Sequence, residues 1–487
     1  MKRSTTIAIA VIFLSISIGG VLGFYFYLNG KNKVEETQFG RTNPNAGEFG
    51  TPSVNTSVTV PGNASTTQPE QTPEIIGTTT LATPASQEEI KIPDLRQIYK
   101  DPVAGVGFFV KDIFATTTEV TESSTFAVGT TSTISTRIIK PAERKLIGKM
   151  EIIQFMDRAN GHMYETATST LENTKVSNTT VPKVYEASIL SRETVIMRGL
   201  YNKTDIIETK FGRQTLLTPT STEKTLITKN LTQDMRQVAI SPSKSKIFYI
   251  QNKAPLGIIS NVDGTSPVTV FESAFREWLP LWPTERTITL TTKPSAFVPG
   301  FMYTLNTSTR ALQKVMGEIN GLTTLMSPDG LRVLYSQSAE GSPNLYILNT
   351  RDGSVRNLFF RTFSEKCVWS KKEVDIVFCA VPQDIAFGDY PDAWYQGLIF
   401  FTDDIWKINT KTGETKLIAK LNELSNQAID VVNPALNTNE TFMVFNNNID
   451  LSLWGLKTVK DIPVATTTAS TSKTTFVGTG TSTLKTR

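Results

Sequence analysis

One spacing governs what this chain can fold into. Ser241-Pro242-Ser243, Trp282-Pro283-Thr284, Ser327-Pro328-Asp329-Gly330, Trp369-Ser370-Lys371 and Asn433-Pro434-Ala435 each close one short apolar run and open another. The prolines at 242, 283 and 328 stand 41 and 45 residues apart, Ser370 follows 42 later, and Pro434 follows 64 after that. The last gap predicts an insertion of roughly 20 residues in one unit. A second landmark trails the first: residues 257–264 (GIISNVDG), 301–307 (FMYTLNT), 344–353 (NLYILNTRDG) and 404–413 (DIWKINTKTG). These read as a strand running into a hairpin turn, in three cases an Asp-Gly or Thr-Gly turn. From Leu95 to Lys460 nearly everything else is short alternating runs of β-branched and aromatic residues. Four strands per roughly 40–45 residues is the arithmetic of a β-propeller blade. A β-sandwich, the competing all-β architecture, has no reason to keep this spacing.

The unit reads Ser-Pro-Asp-Gly, strand, Leu-Tyr-x-x-x, turn, and Ser327 to Gly353 carries it in full. In this the chain resembles the TolB-like, WD40-like propeller repeats, over roughly Leu95 to Lys460. The resemblance implies an all-β ring of four-stranded blades, here without the α/β domain that precedes the propeller in TolB. Innermost strands are expected at Val103–Val110, Glu186–Leu190, Val238–Ile240, Trp278–Trp282, Leu322–Met326, Cys367–Trp369 and Ile429–Val432. That makes seven blades, with six and eight as the alternatives. Leu95-Arg96-Gln97-Ile98 is expected to arrive as the outermost strand of the last blade, closing the ring and removing its free edges.

The ends have another character. Residues 1–30 hold an apolar run, Ile7 to Leu28, of 22 residues between Lys2-Arg3 and Asn29. At 1.5 Å per residue it would reach roughly 33 Å, enough for a bilayer core. The expectation is an uncleaved N-terminal transmembrane anchor through residues 7–28, with a cleaved signal peptide as the alternative. The bulk of the chain is then extracytoplasmic. Residues 31–93, rich in Thr, Ser, Pro, Gly and Asn, bury too little apolar surface to offset ordering entropy and read as a flexible linker. The propeller is assigned to 94–462 and a Thr/Ser-rich tail to 463–487. Ala115–Arg137 and Ala465–Arg487 echo one another in length and in their ATTT, T-F and T-S-T elements; threonine bias makes low-complexity slippage the first reading, with extended strands that pair or occupy similar edges as the alternative.

Composition closes several functional classes. The 49 basic and 45 acidic side chains nearly balance, so no nucleic-acid partner is indicated. A single histidine, His162, excludes multi-histidine metal sites, and two cysteines exclude a zinc finger or iron–sulfur cluster. No metal and no cofactor is expected. His162, at a blade turn, reads as structural. Ser241-Pro242-Ser243-Lys244 matches S-x-x-K, but that chemistry needs one helical turn and here the flanking strands make a hairpin. Cys367 and Cys379, each six residues from Glu373, oppose one another if the hairpin turns there, and either pair as a disulfide or stay buried thiols.

In an up-and-down blade the second-to-third-strand loops and the blade-to-blade connections emerge on one face. Three such segments carry the candidate binding residues: Phe275-Arg276-Glu277-Trp278, the 295–299 loop with Phe297, and the 381–403 insertion with Asp389, Tyr390, Asp392, Trp394 and Tyr395. Aromatics beside acids suit a surface for a protein, peptide or glycan; the alternative is that Trp394 and Tyr395 pack down as a plug. Asp403-Asp404 as calcium ligands lacks the spaced acidic loop such a site uses. The expected function is a membrane-tethered binding or scaffold module acting without bond chemistry. A polysaccharide hydrolase or lyase using carboxylates, and a structural component of an envelope assembly, are the alternatives.

Overall fold

A computed structural model describes residues 93–117, 143–200, 207–216, 224–231, 235–251 and 254–459. The expected anchor, all but the last residue of the linker, the tail and most of both echoed segments lie outside these residues. Among the described residues no helix is long and apolar enough to cross a membrane.

Seven antiparallel four-stranded sheets follow one another along the chain. Their innermost strands are Val103–Thr117, Val184–Ile189, Met235–Ile240, Trp278–Thr284, Thr323–Met326, Cys367–Trp369 and Val431–Leu436, which define blades 1 to 7. Blade 7 is completed by Leu95–Tyr99, which pairs with Leu453–Lys457 in the register Leu95↔Leu456 and Gln97↔Trp454. The first and last parts of the repeat region are thus stitched into one sheet, as the Leu95 segment suggested.

Ring closure shows in the cores. A strand pressed between two neighbours must be apolar on both sides. In the second strand of blade 6, Ile376–Pro382, alternate residues serve different interfaces. Val377 and Cys379 pack with Leu334 and Ile347 of blade 5, while Ile376, Phe378 and Ala380 pack with Val431 and Phe445 of blade 7. Five more clusters fill the other interfaces, including one that joins Phe442 and Val444 of blade 7 to Ile153 and Phe155 of blade 1. An eighth cluster, Phe363, Tyr390, Trp394 and Phe401, belongs to no interface between blades.

The recurring serine has a definite task. Ser327 Oγ accepts the Arg332 amide at 3.0 Å and donates to Asp329, while Gly330, at φ +73°, lets the chain reverse. Ser241 accepts the Lys246 amide and Ser370 the Glu373 amide in the same way, and Asn437 receives Phe442 in blade 7. The landmark register therefore shifts in blade 7, where Asn433-Pro434-Ala435 lies inside the strand and the turn starts at Asn437. Pro283 is likewise inside Trp278–Thr284. Lys244 sits in the turn after Ser241, at φ +56°, so the S-x-x-K string forms no helical turn. The first two strands of blade 1, Val103–Thr117 and Glu143–Asp157, each run 15 residues, well beyond the expected Val103–Val110. Their outer part exposes Val110, Phe114, Leu146 and Ile147.

Candidate functional site

The ring has two unlike faces. On one, the first-to-second strand turns of blades 2 to 7 and the third-to-fourth strand turns of blades 3 to 6 are short and repeat from blade to blade. The other carries the blade-to-blade connections and, in blade 6, residues 383–402 between Ile376–Pro382 and the third strand, Asp403–Asn409. A central channel is lined by inner-strand residues of the blades. Two cavities of about 380 and 390 Å³ meet where Glu186 and Asn433 contribute to both.

The insertion is fixed from below. It contains one helical turn, Asp392–Tyr395, started by Pro391, whose lack of an amide hydrogen costs nothing at a helix start. Trp394 is buried and stacks on Phe363 with ring centroids 4.9 Å apart and planes 17° apart; Tyr390 and Phe401 flank it. Under these rings lies a fully buried charge cluster. Lys366 Nζ is 2.7 Å from Asp403 Oδ2, is ion-paired with Asp430, and sits 5.1 Å from the centroids of both Trp394 and Phe401. Trp394 Nε1 donates to Asp430 Oδ2 at 2.8 Å, and Asn448 donates to the same oxygen at 3.0 Å. The Val431 amide donates to Asp403 Oδ2 at 2.6 Å, whereas Asp403 Oδ1 is buried with no hydrogen-bond partner. Two carboxylates share one ammonium, so one charge is uncompensated. Burial, aided by the Asp430 charge and opposed by Lys366, pushes Asp403 up to about 6.

From above, the insertion leans on neighbouring blades. Asp392 Oδ2 accepts the Ala296 amide of the blade 4 loop at 2.6 Å, and Ser338 of blade 5 donates to the Tyr390 carbonyl. Gly388 N donates to Gly341 O at 3.1 Å; the Phe387 ring covers Gly341 so closely that a side chain there would collide with it. The Tyr395 hydroxyl donates at 2.6 Å to Oε1 of Glu365, which lines the channel. Glu365 lies deep in the protein volume while touching the channel space. Burial raises its carboxyl, opposed by the Tyr395 bond, and burial with the Glu365 charge raises the Tyr395 hydroxyl well above its ordinary value.

The eight expected binding residues divide. Trp278, Tyr390 and Trp394 are buried, so none offers a ring to a ligand. Trp278 donates to Ser273 Oγ at 3.0 Å and packs edge-on against Phe271 and Tyr303 in the core between blades 3 and 4. The physical reason is common to all three: a large amphipathic ring at a loop end gains more by filling an interface and satisfying one polar atom inside. Asp392 is spent on the blade 4 loop. Arg276, Phe297 and Asp389 stay exposed, whereas Tyr395 exposes part of its ring and turns its hydroxyl inward onto Glu365. Beside them are Phe275, Val298, Phe387, Leu398 and Phe400, all exposed on the same connections, with Phe297 at 70% and Phe387 at 87%. Cys367 and Cys379 are cross-strand partners joined by a disulfide beneath this face. Asp403 faces Lys366 rather than an ion site. His162 hydrogen-bonds Thr180 Oγ1 at 3.1 Å in a blade 1 turn.

Sequence reasoning did not find Lys366, Asp430 or the role of Asp403. The one available signal is a lysine between Phe363 and Trp369 at the start of an inner strand, where a blade normally places an apolar residue.

No family model and no curated protein matches the chain. Similar solved structures include TolB from Acinetobacter baumannii, at 14% identity over 64% of this chain and 76% of that one, with a TM-score of 0.36. An oligogalacturonate lyase from Vibrio parahaemolyticus is 12% identical over 63% and 85%, with a TM-score of 0.42. A puromycin-hydrolyzing peptidase from Mycobacterium tuberculosis is 13% identical over 61% and 49%, with a TM-score of 0.34. The seven-bladed propeller rests on its own strand order and interfaces.

Proposed function

We propose that the chain is a binding module that holds a protein or peptide partner on the face carrying the insertion. In this reading residues 7–28 anchor it in a membrane, the bulk lies outside the cytoplasm and the partner belongs to the cell envelope. The observation that supports it is the set of exposed Phe275, Phe297, Phe387, Leu398 and Phe400 on connections otherwise held by buried side chains. Apolar rings fixed from below lose little freedom on contact, and aromatic anchors dominate protein interfaces. The test is crosslinking in native membranes with mass spectrometry, comparing the unchanged chain with Phe297→Ala/Phe387→Ala/Leu398→Ala. The specific crosslinked species should disappear while the melting temperature holds; an unchanged crosslink rejects this face.

A second reading, carboxylate chemistry on a polysaccharide, draws support from Glu186 and Glu365, which both line the channel cavity, and from the burial that pushes Glu365 toward its protonated form. Glu186 is ion-paired with Arg198. Turnover of an acidic or neutral polysaccharide that vanishes in Glu365→Gln supports it; absence of turnover across such substrates rejects it.

A further inference from the structure

On the opposite face, the turns of blades 5 and 6 enclose a groove of about 500 Å³. Its rim comes from the second repeat landmark in two successive copies. Residues 349–353 close the third-to-fourth-strand hairpin of blade 5, and residues 409–413 do so in blade 6. In each turn an asparagine side chain receives the amide two residues on, Arg351 at 3.0 Å and Lys411 at 2.9 Å. Two rigid turns therefore present a basic side chain at equivalent positions, and among the described residues neither has a carboxylate partner.

Two further cations line the groove. Arg356 donates to the carbonyls of Lys411 and Thr410, which orient its guanidinium but do not neutralise it. Arg332 is ion-paired with Asp329 and Asp375, and its Nε is buried without a partner. Asp375 is the one carboxylate among the lining residues, set against four cations. Asp329 and Asp352 stand nearby; Asp352 is engaged by Ser354 and Asn349. The floor is apolar, from Leu331, Ile347 and Val355. Guanidinium forks match the geometry of oxyanions, and a cleft with low-dielectric walls strengthens the attraction.

We propose that this groove between blades 5 and 6 is a binding site for a phosphate- or sulfate-type oxyanion, with Arg351, Arg356 and Lys411 as its ligands. The volume falls in the range of small-molecule pockets, and the apolar floor suits an organic body carrying the anionic head. The site is independent of the partner-binding face.

Isothermal titration at low ionic strength with inorganic phosphate, sulfate and phenyl phosphate tests it. Saturable binding is expected, weakened at least tenfold by Arg351→Ala/Lys411→Ala and by added salt. Tighter binding of phenyl phosphate assigns an anion on an organic body, and equal binding a free anion; both support the site. Lys411→Glu alone, at an exposed turn, should produce a comparable loss even if the double variant disturbs the hairpins. No saturable binding of any of the three anions, or binding unchanged by these substitutions, overturns the proposal.

Discussion

The two faces of the ring solve different problems with different means. The turn face is made of repeats: Ser241, Ser327 and Ser370 each cap the following turn, and Asn349 and Asn409 each fold the next one on. Each of these caps is made within two to five residues of where it arises, and longer bonds such as Ser370 Oγ to Glu440 then tie one turn to the next. The connection face carries one irregular insertion tied to the ring by distant partners, such as Ala296 N to Asp392, Trp394 to Asp430 and Tyr395 to Glu365. Local order is cheap to repeat and leaves side chains free to point outward. Long-range order must be held by buried groups, and here those groups are an aromatic stack over a lysine and two aspartates.

The largest test of that contrast removes the ammonium. Lys366→Met leaves two buried carboxylates without a counter-charge and should cost about 3–5 kcal/mol, read by urea denaturation. Hydrogen exchange should rise first in residues 383–402 and leave the turns of blades 2 to 5 protected. A uniform loss over both faces would contradict the division.

Acidity probes the same cluster with a defined sign. Asp403 titrates at about 6 in the folded chain against 3.8 as a free group. The native state then binds a proton that the unfolded state has already released. Its stabilising contribution is complete below pH 3.8 and is lost as pH rises through 6, a swing of about 3 kcal/mol. Because other carboxylates oppose this trend, the quantity to measure is the stability of the unchanged protein minus that of Asp403→Asn. That difference should fall between pH 4 and pH 7; a flat difference removes Asp403 from the account.

Next in size is the disulfide. Cys367 and Cys379 are 12 residues apart, and opening so short a loop should lower stability by about 2–3 kcal/mol. Reduction should loosen blade 6 and the insertion it carries more than the turn face. Smallest is the exposed rim: Phe387→Ala and Phe297→Ala should each shift stability by about 0.5 kcal/mol or less. A larger cost would mean that these rings are packed rather than presented.

Much of the ring was legible because it is locally encoded. Alternation over five or six residues located the inner strands, and Leu95 to Ile98 announced closure by being a strand with no partner before it. Cys367 and Cys379 could be set opposite one another by counting from Glu373. The site was only half legible. Its location followed from the oversized gap before Asn433, yet the side that each aromatic faces did not, since Tyr390, Trp394 and Tyr395 have the same pattern whether they plug or protrude. Lys366, Asp403 and Asp430 leave no spacing to recognise, because the end of a 3-10 turn, the start of one strand and the residue before another bring them together across 64 residues. The shifted landmarks at Pro283 and Pro434 have a related cause: proline ends an apolar run in sequence, but at a blade's inner strand its missing amide is tolerated inside the strand.

Residues 383–402 are a fixed part of the fold, anchored below and presenting apolar side chains above. Native-state hydrogen exchange reads this most directly. The amides of Ala393, Tyr395, Gln396, Gly397 and Leu398 all donate to carbonyls within the insertion at 2.9–3.0 Å. They should exchange as slowly as the amides of the flanking strand Asp403–Asn409 and gain speed on Lys366→Met. Exchange of these five amides at the rate of an open loop in the unchanged protein would contradict the account.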